Sequence, residues 1–183
     1  MPRSELGVAA LFSLALTVLL TWPQALHLGT AVAAHADPFF SMWRIAWIAH
    51  AVVTDPIHLF DANIFHPETG TLAYSDAMLL QGLIGAPLLW VGLSPVLVYN
   101  LLLLTGIVGS GVGMFVLART LTGSLLPSLV ASAVFVLAPY RIEHFMHLEL
   151  QWTMWMPLMF WAMHRTFEAP SWKPGALAGL FLW

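Results

Sequence analysis

Three uncharged apolar runs constrain this chain more than any other feature. Leu6–Leu26 holds 21 residues without a charge. As a helix rising 1.5 Å per residue it reaches about 31 Å, enough to cross the hydrocarbon core of a bilayer. Residues 95–118 and 124–140 are also uncharged, and each stops at an arginine, Arg119 and Arg141. Only 8% of the 183 residues are charged, against about 25% in a soluble domain. So few charges cannot cover a water-facing surface. Nine Trp and eleven Phe suit a protein with aromatic belts at headgroup level.

Composition also excludes several function classes. There is no Cys, so disulfides and thiolate metal sites are ruled out. The six basic residues are scattered and the net charge is −3, which leaves no electrostatic footprint for nucleic acid. The first run is too long for the h-region of a signal peptide, and Thr21-Trp22-Pro23-Gln24 makes a poor cleavage site. It is read as an uncleaved first span. The apolar end, 176–183, reads as a span cut short, so the chain is expected to be the N-terminal piece of something longer.

The expected fold class is all-α, a polytopic transmembrane helix bundle with a long extracytoplasmic first loop containing juxtamembrane helices. A single transmembrane domain covers 1–183. Its path is span one at 6–26, the loop at 27–94 with interfacial helices at 39–53 and 77–93, span two at 95–118 and span three at 124–140. An extracytoplasmic turn follows at 141–151, then span four at 152–164 and the start of span five at 175–183. Turn signals at Asp55-Pro56 and His66-Pro67-Glu68-Thr69-Gly70 mark the loop. Placing 77–93 in the interface puts Arg3, Arg119, Arg165 and Lys173 on one side, as the positive-inside rule favours. Arg44 and Arg141 then sit outside and need a reason, of which anion binding is one.

The residues able to carry chemistry lie in the expected outer segments. Asp37, in His35-Ala-Asp-Pro-Phe-Phe40, is either the N-cap of a helix opening at Pro38 or a carboxylate placed to meet a lipid-borne substrate. Glu143, His144, His147 and Glu149 form a second cluster. Glu143 and His147 are spaced i, i+4, and His144 and His147 i, i+3, so they share a helical face. Such a face does acid–base work or binds a divalent metal ion, or it is a solvated turn. Arg44 and Arg141 are either phosphate-binding or snorkelling to headgroups. His58 and His66 lack ligand spacing and read as structural. Gly106, Gly109, Gly111 and Gly113 read as a close-packing face.

Taken together, Asp37-Pro38 with Trp43 and Trp47, Leu59-Phe-Asp-Ala-Asn-Ile-Phe-His-Pro67, Thr71-Leu-Ala-Tyr-Ser-Asp76 and Ala138-Pro-Tyr-Arg-Ile-Glu-His-Phe-Met-His-Leu-Glu-Leu-Gln151 resemble the C-type glycosyltransferase superfamily. The likeness covers nearly all of the chain but only the N-terminal part of such an enzyme. It implies a sugar donor carried on a polyprenyl phosphate, membrane lipids as surroundings, and transfer at the outer face of a bacterial cytoplasmic membrane. By position, Asp37 matches the family's first-loop carboxylate, a base or metal ligand. Glu149, or else Glu143, matches a second one. No Asp-x-Asp pair stands in either place, so a divalent metal is an open cofactor, with His144 and His147 as its ligands. Two other readings compete. A transporter or flippase of lipid-linked intermediates needs ionisable residues inside its spans, and spans one to three carry none. A non-enzymatic membrane assembly factor would use the polar loop for docking.

Overall fold

In the computed structural model, which describes residues 2–169 and 171–182, all regular structure is helical. Among the described residues eight α-helices run in order: α1 Arg3–Leu20, α2 Ala36–Thr54, α3 Leu79–Trp90, α4 Pro95–Thr122, α5 Leu125–Val136, α6 Pro139–Glu143, α7 Trp155–Glu168 and α8 Trp172–Leu182. Single 3₁₀ turns lie between several of them. Among the described residues three stretches are long and apolar enough to cross a membrane: Arg3–Leu20, Pro95–Thr122 and Leu125–Glu143.

Several boundaries differ from expectation for local reasons. The first helix ends at Leu20 rather than Leu26 because Pro23 lacks an N–H and crowds the preceding turn. Thr17 and Thr21 close its end by donating their hydroxyls to Ser13 O and Thr17 O, each at 2.8 Å. Within 27–94 the helices expected at 39–53 and 77–93 stand as α2, of 19 residues, and α3, of 12. α3 would be about 18 Å long and the 14-residue α7 about 21 Å, both short of a ~30 Å hydrocarbon core. The last helix opens at Trp172, ahead of Lys173.

The chain packs as two compact units. Unit one comprises Met1–Trp22, Leu103–Phe145 and Leu150–Trp183; unit two comprises Pro23–Leu102 and Met146–Glu149.

Unit one is held by small residues. Ser13 of α1 meets Ser132 of α5 hydroxyl to hydroxyl at 3.3 Å, and Ser132 donates to Gly111 O of α4 at 2.8 Å. A Cβ on Gly111 would fall 2.5 Å from Ser13 Oγ and 2.8 Å from Val136. Three apolar helices therefore approach where their side chains are smallest, and buried hydroxyls find backbone or hydroxyl partners. Gly106, Gly109 and Gly113 give the same room to Trp152, Met154 and Pro157.

Unit two is held by polar tips on large side chains. Ile48, Ala62 and Leu72 form a core flanked by Trp43, Trp47, Leu59 and Ile64. Trp47 Nε1 donates to Leu59 O at 2.8 Å and Trp90 Nε1 to Ala49 O at 3.0 Å. Asp61 Oδ1 accepts from Gly70 N at 2.7 Å, and Thr71 Oγ1 donates to Ala62 O at 3.0 Å. The Trp47 bond closes the irregular segment 55–78 onto α2, and those of Asp61 and Thr71 satisfy backbone groups within it that no helix ladder serves.

Candidate functional site

The candidate site lies in unit two, at the start of α2. The helix opens two residues earlier than expected: its N-cap is His35, and Asp37 sits in its first turn rather than capping it. Pro38 follows in the same turn, where its missing N–H is harmless. A carboxylate there is favoured by the positive end of the helix dipole.

Asp37 Oδ2 is 2.7 Å from His147 Nε2 and 3.1 Å from His35 Nδ1. The backbone N of Asp37 also lies 3.3 Å from His35 Nδ1. One ring nitrogen cannot serve both. Unprotonated, it caps the helix by accepting from that N–H; protonated, it donates to the carboxylate. The 2.7 Å bond from His147 is the firmer contact. Asp37 and His147 are each about one-third exposed, 31% and 30%. The arrangement is a solvent-accessible carboxylate oriented by an imidazole, and it can take a proton from a bound hydroxyl.

Asp37 is placed by a strap, residues 24–31, tied to the start of α4. Asn100 is buried, and its Nδ2 donates to Leu28 O at 2.7 Å and to Ala31 O at 2.8 Å. Its Oδ1 accepts from Gln24 Nε2. Tyr99, also buried, donates its hydroxyl to Met146 O at 3.0 Å, fixing the backbone next to His147. Neither residue was a candidate from sequence. Asn100 carried a signal, a single amide among apolar residues, but its partners lie some 70 residues away.

Arg44, expected to bind phosphate, is 3% exposed and serves the fold. Its Nη1 donates to Asp76 O and its Nη2 lies 3.4 Å from Ser41 Oγ and 3.9 Å from Glu149 Oε2. The Phe40 ring covers it, 4.4 Å from the guanidinium carbon to the ring centroid. Burial pulls the guanidinium below its ordinary range, opposed by the charges of Glu149, Asp76 and Asp37. Glu149, expected to be catalytic, is the counter-ion of this buried cation. It shares a unit with Asp37 because His147 and Glu149 are two residues apart on the segment 146–149.

The remaining candidates fall in unit one. Arg141, the other expected phosphate ligand, is also 3% exposed. It donates from Nη1 to Gln151 O at 3.1 Å and Gln151 Oε1 at 2.8 Å, and from Nη2 to Thr153 Oγ1 at 2.7 Å. Gln151 returns a bond to His144 O at 2.7 Å. Arg141 therefore folds 141–153 back on itself. Glu143 is exposed on α6. The His144 ring lies 4.5 Å from that of Tyr140. His144 and His147, expected as a metal pair, belong to different units. Among the described residues no group of three or more His, Asp or Glu side chains is arranged to hold a metal ion. No protein-family model matches this chain, and neither does a curated protein or a solved structure.

Proposed function

We propose that this is a multi-pass membrane protein of glycosyltransferase type, taking a sugar from a polyprenyl-phosphate donor at the extracytoplasmic face. The observation that carries the reading is the Asp37–His147 contact of 2.7 Å. It supplies what acceptor activation needs: an accessible carboxylate held in one orientation by a partner of matching chemistry. In the reaction, Asp37 takes the proton of the acceptor hydroxyl. The acceptor oxygen attacks the anomeric carbon, and the bond from that carbon to the phosphate oxygen breaks, releasing polyprenyl phosphate. His147 holds the carboxylate in place. Arg44 and Arg141 take no part, being enclosed by their own partners. Among the described residues no three or more His, Asp or Glu side chains are grouped to hold a metal ion, and no step runs through one.

The three apolar stretches support membrane integration, and the distribution of basic residues supports an outer location for Asp37. With no native Cys, Ser75→Cys should label from outside intact cells and Thr122→Cys only after permeabilisation. For the chemistry, Asp37→Asn in membranes supplied with polyprenyl-phosphate sugar should lower transfer by about 100-fold or more. Transfer left intact by that change ends the transferase reading.

A further inference from the structure

Unit two carries a second feature that acid–base chemistry at Asp37 does not use. A groove of about 340 Å³ runs along another face of α2, lined by Trp43, Ala46, Trp47, His50 and Asn63. The four helical residues are spaced i, i+3, i+4, i+7, which aligns them on one face. Asp37, Ser41 and Arg44 lie on a different one.

The groove is defined by what its polar atoms have left to offer. Trp43 Nε1 donates to Asn63 Oδ1 at 3.0 Å, and Trp47 Nε1 donates to Leu59 O. Both indole N–H groups are satisfied, so the rings are locked and present only their faces. An indole is donor only, so Asn63 must turn its carbonyl to Trp43 and its NH₂ outward. One side of Trp43 is already covered by Phe40, stacked at 5.4 Å with planes 5° apart. The Trp47 ring is flanked by His50, tilted by 49° at 5.8 Å. His50 and Asn63 are exposed. Among the described residues, neither the Asn63 NH₂ nor the His50 ring has a hydrogen-bond partner.

We infer that this groove binds the pyranose ring of a neutral glycan. The face of an indole is the negative side of its quadrupole, and one face of a pyranose is a patch of C–H bonds whose hydrogens are positive. Its edge carries hydroxyls, which Asn63 Nδ2 and the His50 ring nitrogens are placed to bond. Aromatic walls with a few directed polar groups are the general make-up of a small-molecule site. No Lys or Arg lines the groove, so a nucleotide or other phosphate finds no cation. A lipid tail would leave both polar groups unpaired. The loop that carries Asn63 also exposes His66 and Glu68, which suit water and not hydrocarbon. The inference goes beyond the transfer reading and does not rest on it, because binding is read without turnover.

The test is saturation-transfer NMR on the full chain in phosphatidylcholine nanodiscs, with methyl glycosides of glucose, mannose, galactose and N-acetylglucosamine as probes. At least one should receive saturation on the ring protons of one face, saturably. His50→Ala removes an exposed ring, whereas Asn63→Ala also removes the acceptor of Trp43 Nε1. Each should weaken binding about three- to tenfold, the value of one hydrogen bond. Trp43→Phe should keep part of the binding and Trp43→Ala should lose it. No transfer to any of the four glycosides overturns the inference, as does equal binding by wild type, Asn63→Ala and His50→Ala. A fluorophore on Ala46→Cys that is quenched by brominated acyl chains also overturns it, since the groove is then filled by lipid. Loss of transfer in Asp37→Asn with glycan binding intact would separate the two sites.

Discussion

Units one and two solve the same problem, closing helices tightly, with opposite side chains. In unit one the contacts are Gly111 against Ser13 and Val136, and the hydroxyl chain Ser13–Ser132–Gly111. Unit two uses Trp47, Asp61 and Asn100, each reaching a backbone group on an irregular segment. The difference follows from what each must satisfy. Apolar helices use their own backbone groups and need only close approach. A segment such as 55–78 leaves N–H and C=O groups over, and only long polar side chains reach them. The candidate site arises in the second kind of packing, where side-chain tips are already being held in fixed directions.

The sharpest way to break this contrast is through its two buried arginines. Arg44→Met in unit two strands Glu149 without its cation and Asp76 O without its donor. It should destabilise by about 3 kcal/mol or more in denaturant titrations, and Glu149→Leu on that background should recover much of the loss. Arg141→Met in unit one abandons only neutral acceptors, so about 1–3 kcal/mol is expected. Equal losses would mean that Glu149 does not act as a counter-ion.

Gly111→Ala comes next. Its Cβ lands 2.5 Å from Ser13 Oγ, and overpacking of this sort costs about 1–3 kcal/mol. Thermal unfolding should show it, and Ser13→Gly should relieve part of it, since Val136 Cγ2 would still lie 2.8 Å from the new Cβ. Asn100→Leu probes unit two with a side chain of similar size. The loss of the bonds to Leu28 O and Ala31 O should free the strap at about 1–2 kcal/mol and open residues 24–31 to limited proteolysis.

The smallest effect is electrostatic. His58 Nδ1 and Asp55 Oδ2 are 2.8 Å apart at the end of α2. The bond to Asp55 raises the imidazole above its ordinary 6.5, and the bond to His58 lowers the carboxyl below its ordinary 3.8. The histidine's contribution is complete below 6.5 and fades as pH rises through its raised value. The aspartate's contribution is complete above 3.8 and fades as pH falls through its lowered value. The helix end should therefore be tightest between those two ordinary values. In NMR titrations Asp55→Asn should return His58 toward 6.5; an unmoved midpoint would dismiss the pair.

Helical class, the apolar stretches and the close-packing glycines were legible in the sequence because they depend on local pattern: length without charge, and small residues at helical spacing. Asp37 and His147 were each legible as candidates from residue type and place. Their pairing was not, since 110 residues separate them and only the tie of Asn100 to the strap and of Tyr99 to Met146 sets both backbones. Arg44 and Arg141 looked like anion ligands because sequence shows a charge but not its burial. The fold decided that both guanidiniums face inward, onto Asp76 and Glu149 in one case and onto Gln151 and Thr153 in the other. A cation with that many fixed partners is part of the scaffold, and whether such partners exist is a property of packing that no local spacing encodes.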